Sequence, residues 1–114
     1  MKNICTFIYQ IPKLGNLIGF NQKYYDVLSQ RKVNTTYIND TGAPIFIAVS
    51  TSANNSSDIK IIIDGIDVNI MNTNPIVNGY GACLNITAII PVNSKYLIST
   101  NGKDKISTWI ELRK

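Results

Sequence analysis

The chain contains no histidine, which removes the commonest general base near neutral pH and the commonest zinc ligand. Acidic residues are scarce, seven in 114 positions, too few and too scattered for a dense carboxylate metal site. The two cysteines, Cys5 and Cys83, lie far apart and read as free thiols suited to a reducing cytosol rather than as a bridge. No apolar stretch approaches the ~20 residues of a membrane-spanning helix, so membrane insertion is not expected. Met1-Lys2-Asn3 followed by Ile4 to Ile11 imitates the start of a secretory signal, but the apolar run holds Gln10, stops at Pro12 and reaches no small-x-small cleavage site. No signal peptide is expected.

Without histidine, a nucleophile would need a lysine or a carboxylate beside it, and no Ser-x-x-Lys or nucleophile-elbow pattern occurs. Asp64 and Asp67 superficially suggest a calcium pair or a glycosidase dyad, but Asp64 belongs to a turn and Asp67 reads as solvent-facing. Gly79-Tyr80-Gly81 lacks the Lys-Ser/Thr of a phosphate loop and opens no helix. The residues thus point to no catalytic site, no metal and no cofactor.

What the chain does have is 45% hydrophobic residues, enough for one compact core, and a formal charge of +4. The Lys and Arg residues are spread over the whole length with no run longer than a pair, which describes a solvated surface rather than a nucleic-acid-binding stripe. The most informative stretch runs from Ile59 to Ile70. Two β-branched runs flank Asp64-Gly65, a dipeptide suited to the positive φ angles of a type I′ hairpin turn. Closing the turn there sets Ile63 opposite Ile66, Ile61 opposite Val68 and Ile59 opposite Ile70 on one face, with Ile62 opposite Asp67 and Lys60 opposite Asn69 on the other.

Other strands read from the same alternation. An edge strand is expected around Tyr24 to Leu28, a short one over Thr35 to Asn39, and a strand opened by Pro44 over Ile45 to Ser50. Because Ile45, Ile47 and Val49 share one face and Phe46 and Ala48 the other, this last strand is expected to be central or covered from two sides. Ala82 to Ile90, Lys95 to Thr100 and Ile106 to Leu112 complete the set. In the last of these Ile106, Thr108, Ile110 and Leu112 oppose Ser107, Trp109, Glu111 and Arg113. The spacing predicts an all-β, antiparallel β-sandwich of jelly-roll-like form over residues 20–114 and no helix longer than a turn. Residues 1–19 lack a sustained period and read as an irregular N-terminal leader, a linker, or a segment that orders against a partner chain.

Two connections are candidate binding loops: Thr51 to Ser57, small and polar throughout, and Met71 to Gly81, the most glycine-rich part of the body. Their amide, hydroxyl and aromatic groups, Asn54, Asn55, Ser56, Asn74, Asn78 and Tyr80, suit sugar hydroxyls. The longer loop reads equally as a simple crossing between sheets.

Thr36-Tyr37-Ile38-Asn39-Asp40-Thr41-Gly42-Ala43-Pro44-Ile45, followed by alternating hydrophobics, resembles a pattern of the C-terminal domains of tailed-bacteriophage and prophage tail fibres. Four further segments resemble that family in the same order. They are Tyr25-Asp26-Val27 with Ser29 and Arg31, Ile62-Ile63-Asp64-Gly65-Ile66, Ile89-Ile90-Pro91-Val92 with Tyr96, and the terminal Trp109-Ile110-Glu111-Leu112-Arg113. Asn93-Ser94 stands where the family pattern has a glycine.

The resemblance implies a virion component, a fibre tip assembled in the bacterial cytoplasm. It further implies a homotrimer that contacts a bacterial surface polysaccharide or outer-membrane protein. It supplies no catalytic residue. A trimer would rationalise strands that are apolar on both faces, so Phe46 and Trp109 are expected to be covered by a second sheet or a second chain. The alternative reading is a free-standing carbohydrate-binding, lectin-like module.

Overall fold

The computed structural model describes residues 17–53, 58–72, 82–100 and 105–114. Its strands are β1 (Lys23–Asp26), β2 (Tyr37–Ile38), β3 (Ile45–Ala53), β4 (Asp58–Ile63), β5 (Ile66–Asn72), β6 (Ala82–Ile90), β7 (Lys95–Thr100) and β8 (Lys105–Arg113). They form two four-stranded antiparallel sheets, ordered β1-β8-β3-β6 and β2-β7-β4-β5. β1 pairs with β8, β2 with β7, β3 with β6 and β4 with β5. The chain is therefore one long antiparallel hairpin, its tip at Asp64-Gly65, rolled so that β3 also meets β8 and β4 also meets β7. That winding is the jelly roll expected from the sequence.

Each sheet turns one β-branched face inward. Ile45, Ile47 and Val49 of β3, Leu84, Ile86 and Ile90 of β6, Ile59, Ile61 and Ile63 of β4, and Ile98 of β7 are all buried in one cluster with Val27, Tyr96 and Trp109. β3, flanked by β8 and β6, is central, as its two apolar faces suggest. The turn residues adopt the conformations their chemistry favours: Asp64 and Gly65 have φ of 50° and 83°. Asn93 has φ of 63°, so the asparagine at the β6–β7 turn takes the left-handed conformation that a glycine would otherwise supply.

The structure corrects several sequence expectations. In the β4–β5 hairpin Ile63 pairs with Ile66 and Ile62 with Asp67, but Ile61 then pairs with Asn69 and Lys60 with Ile70. Val68 is an extra residue, a β-bulge, and it reverses the faces of the rest of β5. Asn69 thereby comes to the inner side, and its amide donates to the Thr87 carbonyl of β6 at 2.9 Å. This bond ties together the edge strands of the two sheets. Ile66, Val68 and Ile70, expected to share the buried row, are 66%, 51% and 50% exposed: the bulge moves Ile70 into the outward row of Lys60, and β5 is an edge strand of its sheet.

A second bulge lies in β8. Ser50 pairs with Thr108 and Thr51 with Ile106, so Ser107 is the extra residue, and its hydroxyl donates to the Ser50 carbonyl at 3.1 Å. Ile106 packs against the core, whereas Ile110 and Leu112 lie on the outer face and Trp109 and Glu111 point inward. The single alternation expected through Leu112 is broken there. β3 also extends to Ala53, into the stretch expected to be loop, and β1 ends at Asp26 before a single 3-10 turn, Leu28–Gln30. No helix among the described residues is long and apolar enough to cross a membrane.

Candidate functional site

The six loop residues expected to bind a ligand, Asn54, Asn55, Ser56, Asn74, Asn78 and Tyr80, lie outside the described residues. The two residues expected to need covering separate. Trp109 is 1% exposed and covered by the opposite sheet. Phe46 is half-buried on the outer face of the β1-β8-β3-β6 sheet. There the register aligns Tyr24, Leu112, Phe46 and Ile89 in one row across all four strands, with Ile110 and Ala48 in the next row. Tyr24 and Ile89, at the two ends of the row, are 68% and 55% exposed. This face is an apolar stripe on the outside of the sandwich.

Inside, the polar residues converge on Glu111, which is wholly buried. Arg31 reaches it with two nitrogens, Nε to Oε2 at 3.2 Å and Nη2 to Oε1 at 3.1 Å. The Tyr96 hydroxyl donates to Oε2 at 2.9 Å, the Trp109 indole to Oε2 at 3.3 Å, and Arg113 Nη1 to Oε1 at 3.1 Å. Five donors satisfy the carboxylate, and so its burial is tolerated. The Tyr37 ring completes the group, 4.8 Å beneath the Arg31 guanidinium and edge-on to Trp109. Burial, then the neighbouring Glu111 charge, pushes the Tyr96 hydroxyl well above its ordinary range. Burial alone would lower Arg31, but the hydrogen bond and charge of Glu111 outweigh it and hold the guanidinium above its ordinary value.

A second polar knot surrounds Asn39, 1% exposed. Its amide nitrogen donates to the carbonyls of Ala43, Ile90 and Pro91 at 2.9, 3.0 and 3.1 Å, and its Oδ1 accepts from the Thr41 hydroxyl at 2.7 Å. The Asn-x-Thr-Gly segment therefore clamps the start of β3 to the end of β6. At the hairpin tip Asp64 accepts from the Lys95 backbone N–H at 2.9 Å; this bond, with the Ser94 hydroxyl, holds its carboxyl below the usual range. The segments that contain Arg31, Tyr96 and Trp109–Arg113 meet at one carboxylate, and Tyr37 packs against Arg31, Tyr96 and Trp109 around it. Their residues hold the sandwich together. Among the described residues no three His, Cys, Asp or Glu side chains cluster to hold a metal.

A solvent-open cleft of about 340 Å³ lies at the β1–β8 edge, lined by Tyr25, Asp26, Val27, Gln30, Arg113 and Lys114. Sequence reasoning missed it, because β1 and the chain end are far apart in sequence and only their pairing brings them together. Asp26 accepts from the Leu28 N–H at 3.1 Å, across the entry to the Leu28–Gln30 turn, which fixes one wall. Arg113, held through Nη1 by Glu111, forms the opposite wall. The arrangement brings an aromatic face, an amide, a carboxylate and two cations into one recess. No protein-family model matches the chain, and no curated protein matches it in sequence.

Proposed function

We propose that this jelly-roll domain is a structural and receptor-binding module of a phage or prophage tail fibre, without enzymatic activity. In this reading it assembles as a homotrimer at the fibre tip and contacts a bacterial surface glycan or protein. The reading takes its identity from the five ordered sequence segments that resemble tail-fibre C-terminal domains. The structural observation that carries it is the apolar row Tyr24–Leu112–Phe46–Ile89 on the outer sheet face, a surface that a second copy of the chain would cover.

The test is absolute mass by light scattering on a size-exclusion column at several concentrations. The expected result is a species of three times the 12.6 kDa chain mass, converted by Phe46→Asp into a folded monomer. Because Phe46 is only half-buried and lies outside the core cluster, the variant is expected to keep its fold, checked by circular dichroism. A trimer that survives Phe46→Asp with unchanged melting temperature overturns this use of the outer face. The lectin-like alternative draws on the β1–β8 cleft, which one protomer forms by itself. A wild-type monomer that binds glycan would favour it.

A further inference from the structure

The β1–β8 cleft has an unbalanced charge. The register sets Lys23 directly opposite Arg113, and Lys114 follows on the same rim. Like charges facing each other across a strand pair are destabilising. Glu111 does not compensate them, since one carboxylate is shared between two guanidiniums and Arg31 engages both of its oxygens. Arg113 spends Nη1 on Glu111, and among the described residues no group accepts from its Nε or Nη2. Those two N–H groups form the parallel fork that matches a carboxylate. Asp26 is the only acidic side chain among the lining residues, and one of its oxygens is taken by the Leu28 N–H. Tyr25, 43% exposed, supplies a ring, and Gln30 an amide, within the same recess.

We propose that this cleft binds a carboxylate-bearing sugar, a uronic acid residue of a surface polysaccharide. Arg113 takes the carboxylate, Lys114 and Lys23 add attraction from the rim, and Tyr25 and Gln30 meet the ring face and hydroxyls. The assignment rests on the receptor-binding reading above and names its ligand class. Lys23 stands on the edge strand β1, where its charge also guards that edge against pairing with another chain. The ligand proposal goes further by requiring selectivity for an acidic sugar.

The experiment is calorimetric titration of the full chain at low salt with tri-galacturonate, maltotriose and inorganic phosphate. Tri-galacturonate is expected to bind at least tenfold more tightly than maltotriose and than phosphate, and to weaken as salt rises. Arg113→Lys keeps a cation against Glu111 but removes the planar fork, and is expected to lose at least tenfold in affinity while remaining folded at the titration temperature, checked by circular dichroism. Lys114→Gln, which disturbs no hydrogen bond among the described residues, is expected to lose a smaller factor. Equal affinity for maltotriose, equal affinity for phosphate, or full affinity in a folded Arg113→Lys variant each overturns the assignment. Adsorption to bacterial cells separates the two readings. A trimer that adsorbs without binding uronate removes the cleft but keeps the tail fibre, whereas a monomer that binds uronate but does not adsorb keeps the cleft and removes the fibre.

Discussion

Glu111 is the residue on which the most of this structure depends, because five donors from three separate stretches of chain meet at one buried carboxylate. Removing its charge leaves Arg31 buried without its anion, and Glu111→Gln is expected to destabilise the fold by about 3 kcal/mol, read from urea denaturation. Asn39→Ala removes the amide that bridges the Ala43, Ile90 and Pro91 carbonyls, of which Ala43 and Pro91 keep a second donor in the Thr41 hydroxyl and the Ser94 N–H, and is expected to cost about 1–2 kcal/mol by the same measurement. Two groups set the pH limits. The Tyr96 hydroxyl is raised in the folded state, so the fold prefers it protonated; its contribution is complete below pH about 10 and is lost as pH rises towards the folded value. The Asp64 carboxyl is depressed, so its contribution is present above pH about 4 and lost as pH falls through the folded value. Thermal melting between pH 3 and 11 is expected to show a plateau with a decline at each end. These residues were visible in the sequence only as parts of motifs; nothing in the sequence said that Arg31, Tyr96 and Glu111 would touch.

At the scale of elements, the strands and their turn chemistry were legible, and the bulges were not. Ala82–Ile90 and Lys95–Thr100 coincide with the stretches read from alternation. Asp64-Gly65 closes the hairpin as its composition requires. Val68 and Ser107 each insert one residue, and period-2 reading carries straight through them. The bulge at Val68 brings Asn69 to the β6 carbonyl at Thr87, a cross-sheet bond that no alternation rule anticipates. Asn69→Ala is expected to cost about 1 kcal/mol and to speed hydrogen exchange at β5 amides relative to those of β4. At the β6–β7 turn, where Asn93 has φ of 63°, Asn93→Gly is expected to be nearly neutral. Asn93→Ala is expected to lose about 1 kcal/mol, because the left-handed region disfavours a Cβ without a short polar side chain.

The whole molecule is a hairpin folded back on itself, and among the pairings only β4 with β5 is local. All others join strands distant in sequence, so refolding is expected on the order of milliseconds to seconds, measurable by stopped-flow tryptophan fluorescence from Trp109. The outer apolar row and the charged cleft are both products of this rolling: each collects residues from the two ends of the chain against its middle or against each other. Neither surface is continuous in sequence.

The sequence by itself determined that the domain is all-β, that Asp64-Gly65 is its central turn, and that β3 is apolar on both faces. Those properties are local: β-branched alternation, turn residues and side-chain period act over a few positions. Tertiary structure alone decided that Trp109 and Glu111, rather than Ile110 and Leu112, face the core, and that Phe46 faces outward. It also decided that Lys23 stands against Arg113. Each of those outcomes depends on a bulge or on a pairing between distant strands, and both are settled only when the two sheets close over one core.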